Sequence, residues 1–483
     1  MKRLVIVSNR VPNPGERGPT AGGLAVALRD AIARRETLWF GWSGHTADVT
    51  ASQPSESQHG KLTIATLDLG REDYRHYYQG FANATLWPTL HYRLGLALFD
   101  RQDYVGYRAV NAAFAAALAP LLRPDDLVWV HDFHLFPLGA ELRAGGATQR
   151  MGFFLHVPFP PRALFCTLPR GRELLRDLAA FDVIGVQTGE DAENLAAALL
   201  AEGMPEAAAR VTAFPVGIDA EGFAGLAQRE ATKQAAVRFR ASLAGRGLVI
   251  GVDRLDYTKG LPQRFGGYGQ LLHRFPGHRS KVTYLQVAAV SRGDVAQYRA
   301  LRRELDEWVG RINGQYAEPD WVPLRYMTRA VKRPVLAGFM RHARAGLITP
   351  LRDGMNLVAK EYIAAQDPED PGVLVLSHFA GAARELDGAV LVNPLDPDEI
   401  AEGLDQALTM PAAERLDRWR RMAALVREGS AKAWSKAYLT ALEGDLPLRS
   451  AAAPPHAGHR PGEPAGSRTN GAGWAGPAAP PAG

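Results

Sequence analysis

Short runs of β-branched and aromatic residues alternate with longer Ala- and Leu-rich stretches along most of the chain. This alternation narrows the possible fold more than any other feature. Strands separated by helical stretches pair in parallel, because each crossover helix returns the chain to the same end of the sheet. Strand-like runs fall near residues 2–9, 37–43, 61–68, 126–132, 150–157, 181–187 and 210–216. A second series follows near 247–253, 281–289, 322–328, 344–349, 372–377 and 389–393. Residues 220–245, between the series, are rich in Ala, Arg and Glu and carry no strand signal, which suits a helical connector. Thirteen candidates are too many for one eight-stranded barrel, and 483 residues exceed what a single core supports. The expectation is therefore an α/β chain with two Rossmann-like, doubly wound domains, residues 1–225 and 226–449, and a tail at 450–483.

The tail is expected to be disordered: from Ala451 it holds seven Pro, seven Gly and ten Ala, with Trp474 its one large apolar side chain. For the rest, 46% hydrophobic residues suffice for packed cores. A net charge of +5 does not call for nucleic acid, and no apolar run approaches the length that spans a bilayer. One cysteine, Cys166, and an N-terminal apolar run too short for a signal sequence fit a cytoplasmic chain. The 56 basic residues comprise nine Lys and 47 Arg, a bias that suits phosphorylated ligands or simply base composition.

Three strand ends carry the residues that chemistry would use. The first run ends in Ser8-Asn9-Arg10, and a Pro- and Gly-rich loop leads to Gly22-Gly23 at a helix start. Such a pair fits a tight turn or an anion-binding helix terminus. No GK[ST] follows, so it is not a P-loop. The run at 247–253 leads into Arg254 and Lys259, two cations able to neutralise a diphosphate or to pair with Asp253 or Asp256. The run at 344–349 leads into Asp353-Gly354 and a helix that starts near Asn356 to Val358 and carries Glu361. That arrangement suits sugar hydroxyls beside an anion site, or a capped helix with a surface Glu.

Taken in order, SNR, AGGL, FGWSG, LWP, HDFH, GFFLHVPFP, RLDYTKG, SRGD, RINGQY, TPLRDGMNLVAKEY and SHFAGAA resemble glycosyltransferase family 20 over roughly residues 1–445. The resemblance implies the GT-B fold, two Rossmann-like domains facing across a cleft, with the last helix crossing back to the first domain. It implies a retaining transfer of glucose from a nucleoside diphosphate glucose, UDP-glucose first among the choices, to glucose 6-phosphate. The product would be α,α-trehalose 6-phosphate. By the same resemblance Arg254 and Lys259 hold the diphosphate, Gly22 and Gly23 meet it from across the cleft, and Leu357, Val358, Ala359, Lys360 and Glu361 line the donor. Glu361 would take the ribose hydroxyls, and Asp353 and His156 the transferred glucose. Arg10, Tyr78, Trp87, Asp132 and Arg292 match the acceptor positions. Met340 stands where some relatives carry an aromatic residue near the base, so uracil, guanine and adenine all stay open. No cofactor, metal, nucleic acid or membrane is implied, and a homo-oligomer is compatible.

Other signals have plainer readings. His131, Asp132 and His134 have metal-ligand chemistry, but on a strand positions i and i+3 point to opposite faces. Asp396-Pro397-Asp398 reads as a turn rather than a metal-binding D-x-D. Cys166 is expected to be a packed thiol, and Trp39 and Trp42 to be packing residues. The rival readings are a family relative with another acceptor or a cyclitol donor, a phosphorylase needing a pyridoxal-phosphate lysine, and a non-catalytic sugar-phosphate sensor.

Overall fold

The computed structural model describes residues 2–11, 28, 32, 35–290 and 296–444. The run Leu4-Val5-Ile6-Val7 has no polar side chain for a solvent face, so it becomes a strand covered on both sides: β1 (Leu4–Arg10) is buried from Leu4 through Ser8. Around it assemble β2 (Thr37–Ala47), β3 (Ser55–His59), β4 (Leu62–Gly70), β5 (Leu127–His131), β6 (Arg150–Phe154), β7 (Val183–Val186) and β8 (Val211–Ala213). The sheet order is β3-β4-β2-β1-β5-β6-β7-β8, parallel except where β3 pairs antiparallel with β4. The strand β3, Ser-Glu-Ser-Gln-His, was not expected. It is exposed at every residue and so carries no apolar alternation by which to recognise it.

The second sheet contains β9 (Gly247–Arg254), β10 (Val282–Ala289), β11 (Leu324–Met327), β12 (Ala345–Ile348), β13 (Val373–Ser377) and β14 (Val390–Val392), ordered β11-β10-β9-β12-β13-β14 and wholly parallel. All thirteen expected strands are present. The helices that matter below are α1 (Gly189–Ala201), α2 (Ala220–Ala231) and α3 (Gln234–Ala241) in the connector, α4 (Leu261–Arg274), α5 (Ala296–Tyr316), α6 (Leu357–Ala365), α7 (Ala412–Glu428) and α8 (Ala431–Glu443). No helix of the described residues is long and apolar enough to cross a membrane.

The period of two along β1 sorts its side chains between two cores. Val5 and Val7 pack with Phe40, Phe114, Val130 and Phe153, while Leu4 and Ile6 pack with Trp129 and with Trp434 and Tyr438 of α8. The Tyr438 ring stacks on Trp129 at 4.4 Å and 8°, and its hydroxyl donates to the Phe153 carbonyl at 2.9 Å. The chain's late helix thus packs on the first sheet.

Each sheet has a switch point, where crossovers leave a central pair of strands in opposite directions: β1/β5 in the first sheet and β9/β12 in the second. Open parallel sheets bind ligands just beyond the carboxyl ends of such strands. Those ends carry Arg10, Asp132, Arg254 and the 349–356 loop.

Candidate active site

A register shift between Ser8 and Arg10 bulges the end of β1 and re-aims Arg10. Its guanidinium lies against Gly44, where a Cβ would sit 2.7 Å from Nε and push it aside, and the φ of +95° at Gly44 calls for glycine. Beside it Tyr78 stacks on His134 (5.8 Å, 12°) and on Tyr74 (5.3 Å, 20°), with Trp42 at 5.9 Å. Past the end of β5, Asp132 takes φ of +76°, an unfavourable backbone state for a non-glycine residue and common at functional sites. The turn is held by the Asp132 N–H donating to the Phe154 carbonyl at 2.8 Å and by the His156 N–H donating to Asp132 Oδ1 at 3.3 Å.

His131 Nδ1 and His156 Nε2 lie 3.0 Å apart. Burial pushes the His156 imidazole down to about 3, and burial together with His156 pushes His131 well below its ordinary value. Both rings are therefore neutral near pH 7, with one proton between the facing nitrogens. The strand geometry expected across His131, Asp132 and His134 is corrected: β5 ends at His131, and Phe133–Leu135 form a 3₁₀ turn. His131 turns to His156 and His134 to Tyr78, so the three side chains do not converge. Among the described residues no group of three or more His, Cys, Asp or Glu is placed to hold a metal ion.

On the second sheet β9 ends at the exposed Arg254, whose guanidinium stands 5.7 Å from the Trp87 ring centroid. This cation–π contact joins the two strand-end sets. Lys259 closes a 3₁₀ turn (Tyr257–Lys259), and Gly260 at φ of +64° starts α4. Asp253 pairs with Arg264 (2.5 Å), while Lys259 Nζ donates to Asp353 Oδ2 at 2.5 Å, so Lys259 is not paired with the neighbouring acids of its own segment. Asn356 Nδ2 donates to the same Asp353 oxygen at 3.0 Å. Burial would raise the Asp353 carboxyl, but Lys259, His91 and Asn356 outweigh it and hold it below the usual range. Gly354 lies against the His156 backbone, where a Cβ would be 2.3 Å from the carbonyl oxygen.

Asn356 (φ +77°) caps α6 by accepting the Ala359 N–H at 3.1 Å. Leu357 and Val358 remain partly exposed at the helix start. Glu361 takes both Arg333 Nε (2.9 Å) and Nη2 (2.7 Å). Two of the expected donor residues turn their side chains elsewhere. Met340 is 2% exposed within the second domain's core, and Lys360, 1% exposed, donates to the Val216 carbonyl at 2.8 Å and pairs with Glu385 at 2.5 Å. Gly22, Gly23, Arg292 and the 450–483 tail lie outside the described residues.

Sequence reasoning missed Arg333 and His91, and gave Asn356 only as part of the helix start, not as the side chain that caps it and bonds Asp353. His91, 2% exposed, donates from Nδ1 to the Trp87 carbonyl at 2.8 Å, and its only signal was its place just after Leu86-Trp87-Pro88. Cys166 is exposed rather than packed, because the short helix Arg162–Phe165 buries Phe165 and leaves the next residue outside. Asp396 caps the helix Pro397–Thr409 through the N–H groups of Asp398 and Glu399, which is the turn reading. Trp39 and Trp42 are 4% and 7% exposed and do pack.

Two mainly parallel sheets, one with Tyr78 and Trp87 near its strand ends and the other with Arg254 and Lys259 at the end of β9, are the two Rossmann-like layers of a GT-B glycosyltransferase. The chain belongs to glycosyltransferase family 20, whose model matches residues 2–444. It is 47% identical over 456 residues to trehalose-6-phosphate synthase of Sinorhizobium fredii, covering 92% of this chain and 98% of that one. The UDP-forming α,α-trehalose-phosphate synthase of Burkholderia xenovorans, solved with glucose-6-phosphate, superimposes with a TM-score of 0.87 at 45% identity, covering 92% and 100% of the two chains. The E. coli structure bound with UDP-2-fluoro glucose gives 0.86 at 42%, covering 92% and 99%.

Proposed function

We propose that the protein transfers glucose from UDP-glucose to glucose 6-phosphate with retention, forming α,α-trehalose 6-phosphate and UDP. Residues 1–225 hold the acceptor and residues 226–449 the nucleotide sugar. The observation that carries this reading is the Lys259–Asp353 pair lying beside the Arg254–Trp87 contact, a cationic leaving-group site against an aromatic acceptor site.

The bond from glucosyl C1 to the diphosphate oxygen breaks, and that oxygen keeps the electron pair. Arg254, Lys259 and the start of α6 stabilise the growing charge, with Gly22-Gly23 meeting it from the other side. The anomeric hydroxyl of glucose 6-phosphate attacks C1 on the face being vacated and passes its proton to the departing phosphate oxygen. No carboxylate nucleophile is needed: Asp353 and His156 hold the transferred sugar, and Glu361 with Leu357 and Val358 orients the nucleoside. Arg10 and Arg292 grip the acceptor phosphate while Tyr78 and Trp87 pack on its ring and Asp132 accepts a hydroxyl hydrogen bond.

Alanine at Arg254 or Lys259 should lower kcat by about 10²-fold or more. Alanine at Arg10 or Arg292 should raise the acceptor KM by ~2–5 kcal/mol equivalent and erode the preference for glucose 6-phosphate over glucose. Full retention of that preference together with a collapse of donor binding would reverse the assignment.

A further inference from the structure

One carboxylate outside the residues already discussed bridges two arginines of the opposite sheet's loops. Glu190 lies in the first turn of α1, after β7 of the first sheet. Its Oε1 accepts from Arg352 Nη2 at 2.5 Å and its Oε2 from Arg384 Nη2 at 2.7 Å. Arg352 directly precedes Asp353, and its guanidinium also lies 4.1 Å from the Tyr92 ring centroid. Arg384 ends the 3₁₀ turn Gly381–Arg384. The loops bearing these arginines are zipped by backbone hydrogen bonds: Asp353 N–H to Phe379 O (3.1 Å), Gly381 N–H to Asp353 O (3.1 Å) and Ala382 N–H to Met355 O (2.7 Å). Glu190 therefore grips a two-loop ribbon with Asp353 in it.

The same helix start holds the other sugar-facing loop. Thr188 Oγ1 donates to Asp191 Oδ2 at 2.6 Å, and Asp191 Oδ1 accepts the Phe159 N–H at 2.8 Å, three residues past His156. Four consecutive residues, Thr188 to Asp191, thus tie the His156 loop and the Asp353 loop to one rigid terminus. Burial opposes ionisation of Glu190, but Arg352 and Arg384 hold its carboxyl below the usual range, so the bridge is charged near neutrality.

We infer that Glu190 is a positioning residue for glucosyl transfer: through Arg352 and Arg384 it sets Asp353 against His156 across the cleft. The inference rests on the proposed function, in which both residues hold the transferred glucose. Glu190 is not among the residues assigned to either substrate, so its loss should spare binding and impair turnover.

The test uses the full chain with UDP-glucose and glucose 6-phosphate, comparing wild type with Glu190→Gln, Glu190→Ala and Arg384→Gln. Glu190→Gln keeps the shape but loses the charge. Misplacement of a reacting geometry by about 1 Å costs up to ~10²-fold, so Glu190→Ala should lose about 10- to 100-fold in kcat, with Glu190→Gln between it and wild type. Arg384→Gln, which leaves the Arg352 arm intact, should lose less. The UDP dissociation constant and the acceptor KM should stay within about twofold of wild type, because the groups assigned to binding are untouched. Loss confined to melting temperature with wild-type kcat, or a rise in both KM values at unchanged kcat, overturns the inference. If Glu190→Ala does not fold, the two Gln variants decide. Wild type that forms no trehalose phosphate would instead overturn the functional reading.

Discussion

Replacing Gly354 by Ala should show how closely the two strand-end sets face each other. The added Cβ would lie 2.3 Å from the His156 carbonyl oxygen and 3.1 Å from the carbonyl carbons of His156 and Val157. A carbon-to-oxygen contact normally needs about 3.3 Å, so the backbones must part by roughly 1 Å. No side-chain rotamer can relieve the clash, because the three nearest atoms are all main chain. The 353–355 segment is bonded to residues 379–382, so the shift carries Asp353 away from His156 instead of being absorbed locally. A displacement of this size predicts a kcat lower by on the order of 10²-fold, or ~2.7 kcal/mol in the barrier. Overpacking should also cost about 1–3 kcal/mol of stability. The control is Gly310→Ala in α5, where an added Cβ meets nothing within 4 Å. It should gain up to about 1 kcal/mol in stability without change in kcat. Steady-state release of UDP with glucose 6-phosphate as acceptor, and melting curves, measure both variants. Wild-type kcat in Gly354→Ala would refute the close apposition of the two loops.

The buried His91, pushed down to about 4 chiefly by burial, makes stability fall with acid. Its folded value lies below the ordinary ~6.5, so its contribution is complete above pH 6.5 and is lost towards pH 4, at up to ~1.4 kcal/mol per pH unit. Urea unfolding at pH 7.5 and 5.0 should show a smaller acid penalty in His91→Gln than in wild type, and an equal penalty would assign the effect elsewhere. Trp434→Ala removes the ring 3% exposed between Trp129 and Phe154, and should cost about 3–5 kcal/mol in denaturation. A cost under about 1 kcal/mol would mean that α8 is not needed to cover the first sheet.

Sequence pattern was most informative where a strand is buried on both faces. The continuous apolar runs of β1 and β9 announce themselves, and the polar residues that end them, Arg10 and Arg254, mark the sites. The edge strand β3, wetted on every residue, was invisible for the same reason reversed. Pairings between distant segments were also hidden. Lys259 meets Asp353 94 positions away, and Lys360 buries its ammonium on the Val216 carbonyl 144 positions away. Before the fold was known, Lys259 could as well have paired with its neighbours, and Lys360 looked like one more residue facing the donor. Met340 illustrates the same limit: the resemblance put its position near the base, but could not tell that its side chain turns inward. Glu190 and Arg352 carried no signal as a pair, since their 162-residue separation is closed only when the two sheets face each other.

The most direct measurement of the central claim is the anomeric NMR spectrum of the product formed when the purified chain is given ¹³C-labelled UDP-glucose and unlabelled glucose 6-phosphate. The account predicts label in one ring of a 1,1-linked disaccharide phosphate with both anomeric centres α, appearing in step with UDP. A β linkage at the labelled carbon, a product joined elsewhere than at both anomeric carbons, or UDP released with free labelled glucose as the sole sugar product would contradict it.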